Sequence, residues 1–377
     1  MRSLLSILLF VLVILSCEEK QSIETNQTNI DSLSYAELFQ IENGEGYKKL
    51  TVFNPWKDRS VYKTYYLVSK SAKTLPQLPE DAVIIKTPVN RISTMSATHI
   101  GLLDKLGELE SIIGHSSSDY IYNERLKARM NENKVTVTGA AQSLNLEAFI
   151  ELNPDVLMNS VYDKIHNNLI LVEQSGIPVA YNIEWMEAHP LARAEWIKFM
   201  ALFYEKEALA DSIFDDIEKS YLSTKYSIEP SNHQPSVLVS YKYKGTWFMP
   251  GGQSYQAALF RDAGIDYHYY SDSSTGSVPL SFETVIEEMT EADIWIKPGA
   301  TTSIKELLAL DERYGQFKAL QEGEMYNVHA QIAENGANNY WEQGMIEPHL
   351  ILKDLVKIFH PKLLPEYELT YYKKMDS

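Results

Sequence analysis

Residues 191–221 run without a glycine or proline, and Ile197, Met200, Ala201, Tyr204, Ala208, Ile213, Ile217 and Tyr221 recur close to every 3.6 residues. That spacing predicts one amphipathic helix. At about 1.5 Å per residue it would reach about 45 Å, enough to lie along two packed lobes as a strut. The sequence on either side has one and the same grammar. Short apolar runs alternate with helical periods at 100–106, 147–152, 156–158, 169–174 and 178–180, and again at 237–239, 255–263, 282–289, 294–296, 304–310 and 325–328. Short strands separated by helices imply a largely parallel sheet, so the chain reads as two α/β lobes joined by a single long backbone helix. A last helix over 348–359 closes the chain.

The N-terminal 90 residues read differently. An apolar run over 4–15 follows Arg2 and ends Ile14-Leu15-Ser16-Cys17. It is short for a membrane span and right for a signal-peptide core. Cys17 is the sole cysteine of the 377 residues, which excludes an internal disulfide and any cysteine-built metal site. Its position resembles a lipobox, so Cys17 is expected to become a lipidated first residue after a signal peptide over 1–16. A flexible tether is expected over 17–45, because its start is rich in Asn, Gln, Ser and Thr and poor in apolar groups. A β-rich extension follows over 46–88, with a hairpin or two short strands over 47–69 around Asn54-Pro55-Trp56-Lys57-Asp58. The first lobe is placed at 89–188, the spanning helix at 189–228 and the second lobe at 229–377. With 51 acidic and 34 basic residues the net charge is −17, a field that repels phosphate backbones and excludes general nucleic-acid binding.

The string Asn90-Arg91-Ile92-Ser93-Thr94-Met95-Ser96-Ala97-Thr98-His99, with Leu102-Leu103-Asp104-Lys105-Leu106-Gly107 after it, resembles the opening of the iron-siderophore, haem and vitamin B12 class of ABC-transporter substrate-binding lipoproteins. Leu144-Asn145-Leu146-Glu147-Ala148-Phe149 through Asn153-Pro154-Asp155-Val156-Leu157-Met158 is similar to that class's helix, Pro-Asp turn and strand. Phe282-Glu283-Thr284-Val285 through Ala292-Asp293-Ile294-Trp295-Ile296 repeats the theme. The resemblance covers about 88–360. It implies two Rossmann-like lobes, a ligand cleft between them, capture of a metal chelate (iron-siderophore or haem-like) and delivery to an ABC permease with its ATPase. It also implies an extracytoplasmic, membrane-anchored monomer with no cofactor of its own, and lobe motion of a few degrees. The matching positions for permease docking are Glu147 and Glu283, one on each lobe; a carboxylate in a helix's first turn is equally what the helix dipole favours.

By the same resemblance the cleft takes Tyr120, Ser160, Tyr162, Trp247 and Trp341, flat or small polar side chains that suit a large, partly apolar chelate. Two positions where the vitamin B12 binders carry tryptophan align with Ala141 and Ser277, which weighs against cobalamin, the alternative ligand within the same fold. Arg91, Arg125, Arg129 and Arg261 are available to anionic chelates or to surface ion pairs. A bare metal ion on His99, His166 and His189 is a further alternative, although no close histidine pair exists, so no metal site is assigned. The chain has no Gly-Lys-Ser phosphate loop, no His-Glu-x-x-His and no Gly-x-Ser-x-Gly elbow, and is read as no enzyme. A sensor or a hydrolase that has kept the fold is the reading from a different class.

Overall fold

The computed structural model describes residues 29–161, 164–229 and 234–376. The expected signal peptide, Cys17 and Tyr162 lie outside the described residues. The first sheet is built from β1 (Asn29–Ile30), β2 (Phe39–Gly44), β3 (Tyr47–Phe53), β4 (Val61–Ser69) and β5 (Val83–Thr87), in that spatial order. β1 to β4 pair antiparallel and β4 pairs parallel with β5. The β2–β3 turn is two residues, with Gly46 at φ 79°, the left-handed conformation such tight hairpins need.

The sheet therefore begins earlier than the tether expected over 17–45 allows. Phe39 and Ile41 are buried, and the backbone before them is bonded to the first lobe. The fully buried carboxylate of Glu195 accepts the N–H groups of Ser34, Tyr35 and Ala36, each at 2.8 Å. Glu187 accepts those of Glu37 at 3.2 Å and Leu38 at 3.0 Å, together with the Trp196 indole N–H at 3.0 Å. The Tyr35 ring stacks on His189 at 5.3 Å and its hydroxyl donates to Glu218 at 2.5 Å. Polar composition hid this strap because its affinity for the lobe lies in main-chain N–H groups, which every residue type offers.

The first lobe alternates β6 (Ile92–Thr94), α1 (Ala97–Lys105), β7 (Ile112–His115), α2 (Glu124–Asn131), β8 (Thr136–Val137), α3 (Leu146–Leu152), β9 (Val156–Ser160), α4 (Asn167–Gln174) and β10 (Val179–Asn182). The sheet order is β10-β9-β6-β7-β8 and all four pairings are parallel. The inner strands β6 and β9 and the strand β10 are buried along nearly their whole length, whereas the edge strand β8 is exposed at both residues. The chain moves outward from β6 through β7 to β8, then returns to the other side of β6 as β9. That reversal opens a crevice at the carboxyl ends of β6 and β9. On the outer edge the buried Tyr65 hydroxyl of β4 accepts the Tyr181 N–H and donates to the Val179 carbonyl, both at 3.0 Å. The first sheet is thus stitched to β10.

The helix expected over 191–221 is two helices, α5 (Pro190–Leu202) and α6 (Glu207–Tyr226). Glu205, at φ 56°, turns the chain between them, and the Phe203 carbonyl accepts the Val89 N–H at 2.7 Å. Phe203 and Tyr204 are buried in phase with both helices, so periodicity alone runs through the break. α6, at 20 residues and about 30 Å, is the long joining helix. Ala210, Phe214, Ile217, Tyr221 and Thr224 form its buried stripe.

The second lobe contains β11 (Val237–Val239), β12 (Lys242–Tyr243), β13 (Thr246–Pro250), α7 (Tyr255–Asp262), β14 (Ser277–Leu280), α8 (Phe282–Met289), β15 (Ile294–Ile296), α9 (Ile304–Leu310), α10 (Lys318–Gln321), β16 (Met325–Asn327), α11 (Asn339–Glu342), α12 (Pro348–Phe359) and β17 (Lys373–Lys374). Strands β11, β15 and β16 are parallel and β17 closes their sheet antiparallel. A separate antiparallel sheet, β12-β13-β14, replaces part of the parallel pattern, so this lobe is no copy of the first. Buried Asp354 of α12 gathers the N–H groups of Thr370, Tyr371 and Tyr372 and so holds the tail in place for β17.

Glu195→Ala strips three backbone donors of their acceptor inside the protein. It is expected to lower unfolding free energy by on the order of 3 kcal/mol in urea titrations, whereas Glu147→Ala on the open face of α3 should move it by less than about 0.5 kcal/mol.

Candidate functional site

The cleft is formed where loops after strands of the two lobes face one another. Three of the loops carry a non-glycine residue with positive φ, Tyr120 (60°) after β7, Ser240 (69°) after β11 and Lys297 (53°) after β15, as do several turns elsewhere in the chain. Side chains seldom adopt this region, so the backbone at these three positions is fixed by its surroundings. Tyr120 is 71% exposed on the first lobe and Trp341 is 54% exposed on α11 of the second. A β-carbon on Gly336 would lie 4.0 Å from the Tyr120 ring, so Tyr120 stands against the opposite lobe at the cleft mouth.

The lobes touch directly beside it. A β-carbon on Gly101 of α1 would lie 2.1 Å from the Glu342 carbonyl of α11, so only glycine permits this approach. Glu342 sends its carboxylate across the gap to accept the N–H of Tyr122 at 2.8 Å and of Asn123 at 3.3 Å. The Gln343 amide donates to Asp104 at 3.1 Å, and Lys105 pairs with Glu347 at 2.5 Å. Burial pushes the Glu342 carboxyl up to about 7 against the two donors that favour its charge, and its second oxygen is buried with no partner among the described residues.

The floor of the cleft lies at the start of α5. Arg193 forks onto Glu184 through Nε at 3.2 Å and Nη2 at 2.9 Å, and its guanidinium covers the Tyr255 ring at 4.3 Å. Arg193 and Tyr255, with Thr98, Tyr340 and Trp341, line a pocket of about 50 Å³. Lys297 stands over the Tyr340 ring at 5.5 Å with its ammonium 3.5 Å from the Tyr340 hydroxyl. Desolvation, then repulsion from Arg193, lowers the Lys297 ammonium from its usual range to about 7. Neither Arg193 nor Lys297 stands out in the sequence reading. The available signals are an arginine in the apolar string Pro190-Leu191-Ala192-Arg193-Ala194 and a lysine ending the run Ile294-Trp295-Ile296.

Ser160 ends β9 at the crevice and its hydroxyl lies 3.2 Å from Nε2 of His99. Trp247 is a correction to the sequence reading. It is fully buried in the second lobe, packed on Trp295, Phe282, Tyr314 and Phe317, and its indole donates to the Val239 carbonyl at 2.7 Å. Successive side chains of β13 point to opposite faces of its sheet, and Trp247 is on the core face while the next ring, Phe248, is exposed. The dispersed histidines do not converge. His99 is buried in the first lobe and held neutral, its ring lowered to about 3 by burial, while His166 and His189 sit at the starts of α4 and α5. No cluster of three metal-ligating side chains occurs among the described residues. Arg91 bonds the carbonyls of Leu152 and Asn153, Arg129 those of Leu109 and Ile112, Arg125 is an exposed ion-pair partner, and Arg261 covers Tyr270. All four serve the lobes' own structure.

Glu147 and Glu283 occupy equivalent places, each exposed in the first turn of its helix after an N-capping Asn145 or Ser281. They differ in surroundings: Glu283 lies 3.3 Å from Arg313, and no ion pair holds Glu147 among the described residues.

The sequence model of the periplasmic binding protein family matches residues 92–332. An uncharacterized lipoprotein of Methanocaldococcus jannaschii is 27% identical over 368 residues, 90% of this chain and 84% of the relative. A second from the same organism is 26% identical over 376 residues, 95% and 90% of the two chains. Among solved structures, a possible iron-binding periplasmic solute-binding protein from Staphylococcus epidermidis superposes with TM-score 0.56 at 17% identity, covering 73% of this chain and 100% of that one. A periplasmic heme binding protein from Pseudomonas aeruginosa gives 0.57 at 14%, covering 77% and 99%.

Trp247→Ala should cost about 3–5 kcal/mol by emptying a core site, whereas Trp341→Ala should change stability by less than about 1 kcal/mol; thermal melts separate them. Between about pH 4.5 and 7 the folded chain keeps a proton on Glu342 that the unfolded chain has lost, so this residue makes stability fall as pH rises through that window. Glu342→Gln should flatten that part of the profile in urea titrations at pH 4.5, 5.5 and 7.

Proposed function

This chain belongs to the periplasmic binding protein family, and from that premise we propose that it captures a metal chelate, an iron-siderophore or haem-like complex, outside the cytoplasm and hands it to an ABC permease. The observation that carries this reading is the cleft mouth, where Tyr120 and Trp341 present exposed rings from opposite lobes. Large aromatic faces left in water by a folded chain are unfavourable unless something covers them. A flat or partly apolar complex spanning both rings buries them and contacts both lobes at once. The iron-binding and heme-binding names of two proteins with this fold support the same ligand class. The lipoprotein names of the two archaeal relatives support an anchor at Cys17, which the lipobox-like sequence suggests independently.

Delivery uses the two lobes as one surface. Glu147 and Glu283, exposed at matching helix starts, would meet basic pockets on the permease, opposite charge orienting the encounter. With α1 and α11 in backbone contact and α6 joining the lobes, closure is expected to be a matter of a few degrees. Scattering profiles of the loaded and empty protein should therefore nearly superpose.

The deciding experiment is tryptophan-fluorescence titration of the full chain in detergent with ferric siderophores, haemin and cyanocobalamin, with zinc and manganese salts as controls. Saturable quenching by one iron chelate or haemin, weakened tenfold or more by Tyr120→Ala or Trp341→Ala at unchanged melting temperature, is the expected result. Quenching by cyanocobalamin alone would transfer the reading to corrinoids. A response to bare metal alone, or to no compound, would overturn chelate capture.

A further inference from the structure

The first lobe lays hydroxyls and imidazoles beneath the crevice. Thr94 ends β6, His115 ends β7, Ser160 ends β9, and His99 enters from the first turn of α1. Thr94 Oγ1 lies 2.8 Å from Nδ1 of His115, and Ser160 Oγ lies 3.2 Å from Nε2 of His99. Both histidines are buried, and burial lowers their rings to about 3 for His99 and about 4 for His115, so both are neutral around pH 7. A neutral imidazole carries one proton, and its position decides what the neighbouring group can do. Nδ1 of His99 is buried with no partner among the described residues. A proton placed there would be a buried N–H with nothing to accept it, a costlier orphan than a bare lone pair. The proton therefore belongs on Nε2, which donates to Ser160 Oγ. That bond uses the oxygen of Ser160 and leaves its O–H over, and the contact with His99 is the one hydrogen bond its side chain makes among the described residues. Ser160 itself is half-buried, at the end of β9 that opens on the cleft.

We infer that Ser160 is a hydrogen-bond donor to the ligand and that His99 is the positioning residue that makes it one. The inference rests on the reading of this cleft as the ligand site and narrows the ligand: a carbonyl-type oxygen, an acceptor with no hydrogen of its own, lies at the carboxyl end of β9. A ligand that offered an ammonium or an amide N–H at that point would leave the Ser160 O–H without an acceptor and lose affinity. Selection here runs through the direction of one neutral dipole and not through charge. Because His99 fixes the serine oxygen before anything binds, the cost of orienting the hydroxyl has already been met in folding.

The test first reads the proton itself. The full chain in detergent is labelled with ring-nitrogen-15 histidine, and the His99 signals are assigned by their loss in His99→Gln. Long-range proton–nitrogen correlation at pH 7 should then show hydrogen on Nε2 and a bare Nδ1. Hydrogen on Nδ1 would overturn the inference whatever binds. Fluorescence titrations with ferrichrome and haemin supply the second reading. For the chelate that saturates, Ser160→Ala should weaken binding about threefold to tenfold, while Ser160→Thr, which keeps the O–H, should stay within about twofold of the parent. His99→Leu should cost about as much as Ser160→Ala, and the two together no more than either alone, because His99 acts through Ser160. His99→Gln, whose amide N–H can replace that of Nε2, should recover most of the loss. If the melting curve shows His99→Leu unfolded, His99→Gln and the nitrogen spectrum carry the test. Additive losses in the double variant, or unchanged affinity in Ser160→Ala, would overturn the inference even while a chelate binds. If neither chelate saturates, chelate capture falls, and the donor assignment is decided by the proton on Nε2.

Discussion

Everything at the cleft depends on the contact between α1 and α11. Gly101 lets the Glu342 carbonyl approach where any side chain would collide, and that closeness lets the Glu342 carboxylate reach the N–H groups of Tyr122 and Asn123. The loop carrying Tyr120 and the helix carrying Trp341 are thereby fixed with respect to each other. A looser joint would leave two exposed rings on independent bodies. Here they form one recognition surface, and the entropy of aligning them has been lost on folding and not on binding.

The same device recurs. Glu187, Glu195, Glu342 and Asp354 are buried acids that each collect two or more backbone N–H groups from a segment distant in sequence. A carboxylate accepts several donors at once, and charge-assisted bonds are stronger than neutral ones, so one side chain can pin an irregular segment that makes no sheet of its own. The strap, the lobe contact and the C-terminal tail are held this way. The cost of burial shows in the raised proton affinity of Glu187 and Glu342, each near 7.

The parts legible in the sequence are those whose partners are near in sequence. The alternation of strands and helices and the two lobes follow from local periodicity, which one segment carries by itself, while the first-turn glutamates are marked by the family-like strings around them. The parts that were not legible are defined by distant partners. Residues 34–38 look like part of a tether until Glu195 and Glu187, 149 to 161 positions away, take their N–H groups. Glu342 reads as a surface acid until it meets Tyr122 across 220 positions. Trp247 drew attention as an aromatic ring near a loop, yet its carbonyl partner Val239 and its neighbour Trp295 place it in the core. Arg193 and Lys297 escaped notice for the converse reason: an isolated cation resembles a solvated surface residue, and only the fold brings the two together.

The attachment of the first sheet through Tyr65 bears on how copies of the chain behave when crowded. A parallel sheet exposes a ladder of unpaired N–H and C=O groups at each outer strand, a template on which a neighbouring copy can add. In the first lobe one outer strand, β10, is sealed by Tyr65 on two of its backbone groups, and the other, β8, is two residues long. Neither margin offers enough continuous backbone to seed strand addition. Concentration by itself therefore does not convert this lobe's edges into contacts between molecules.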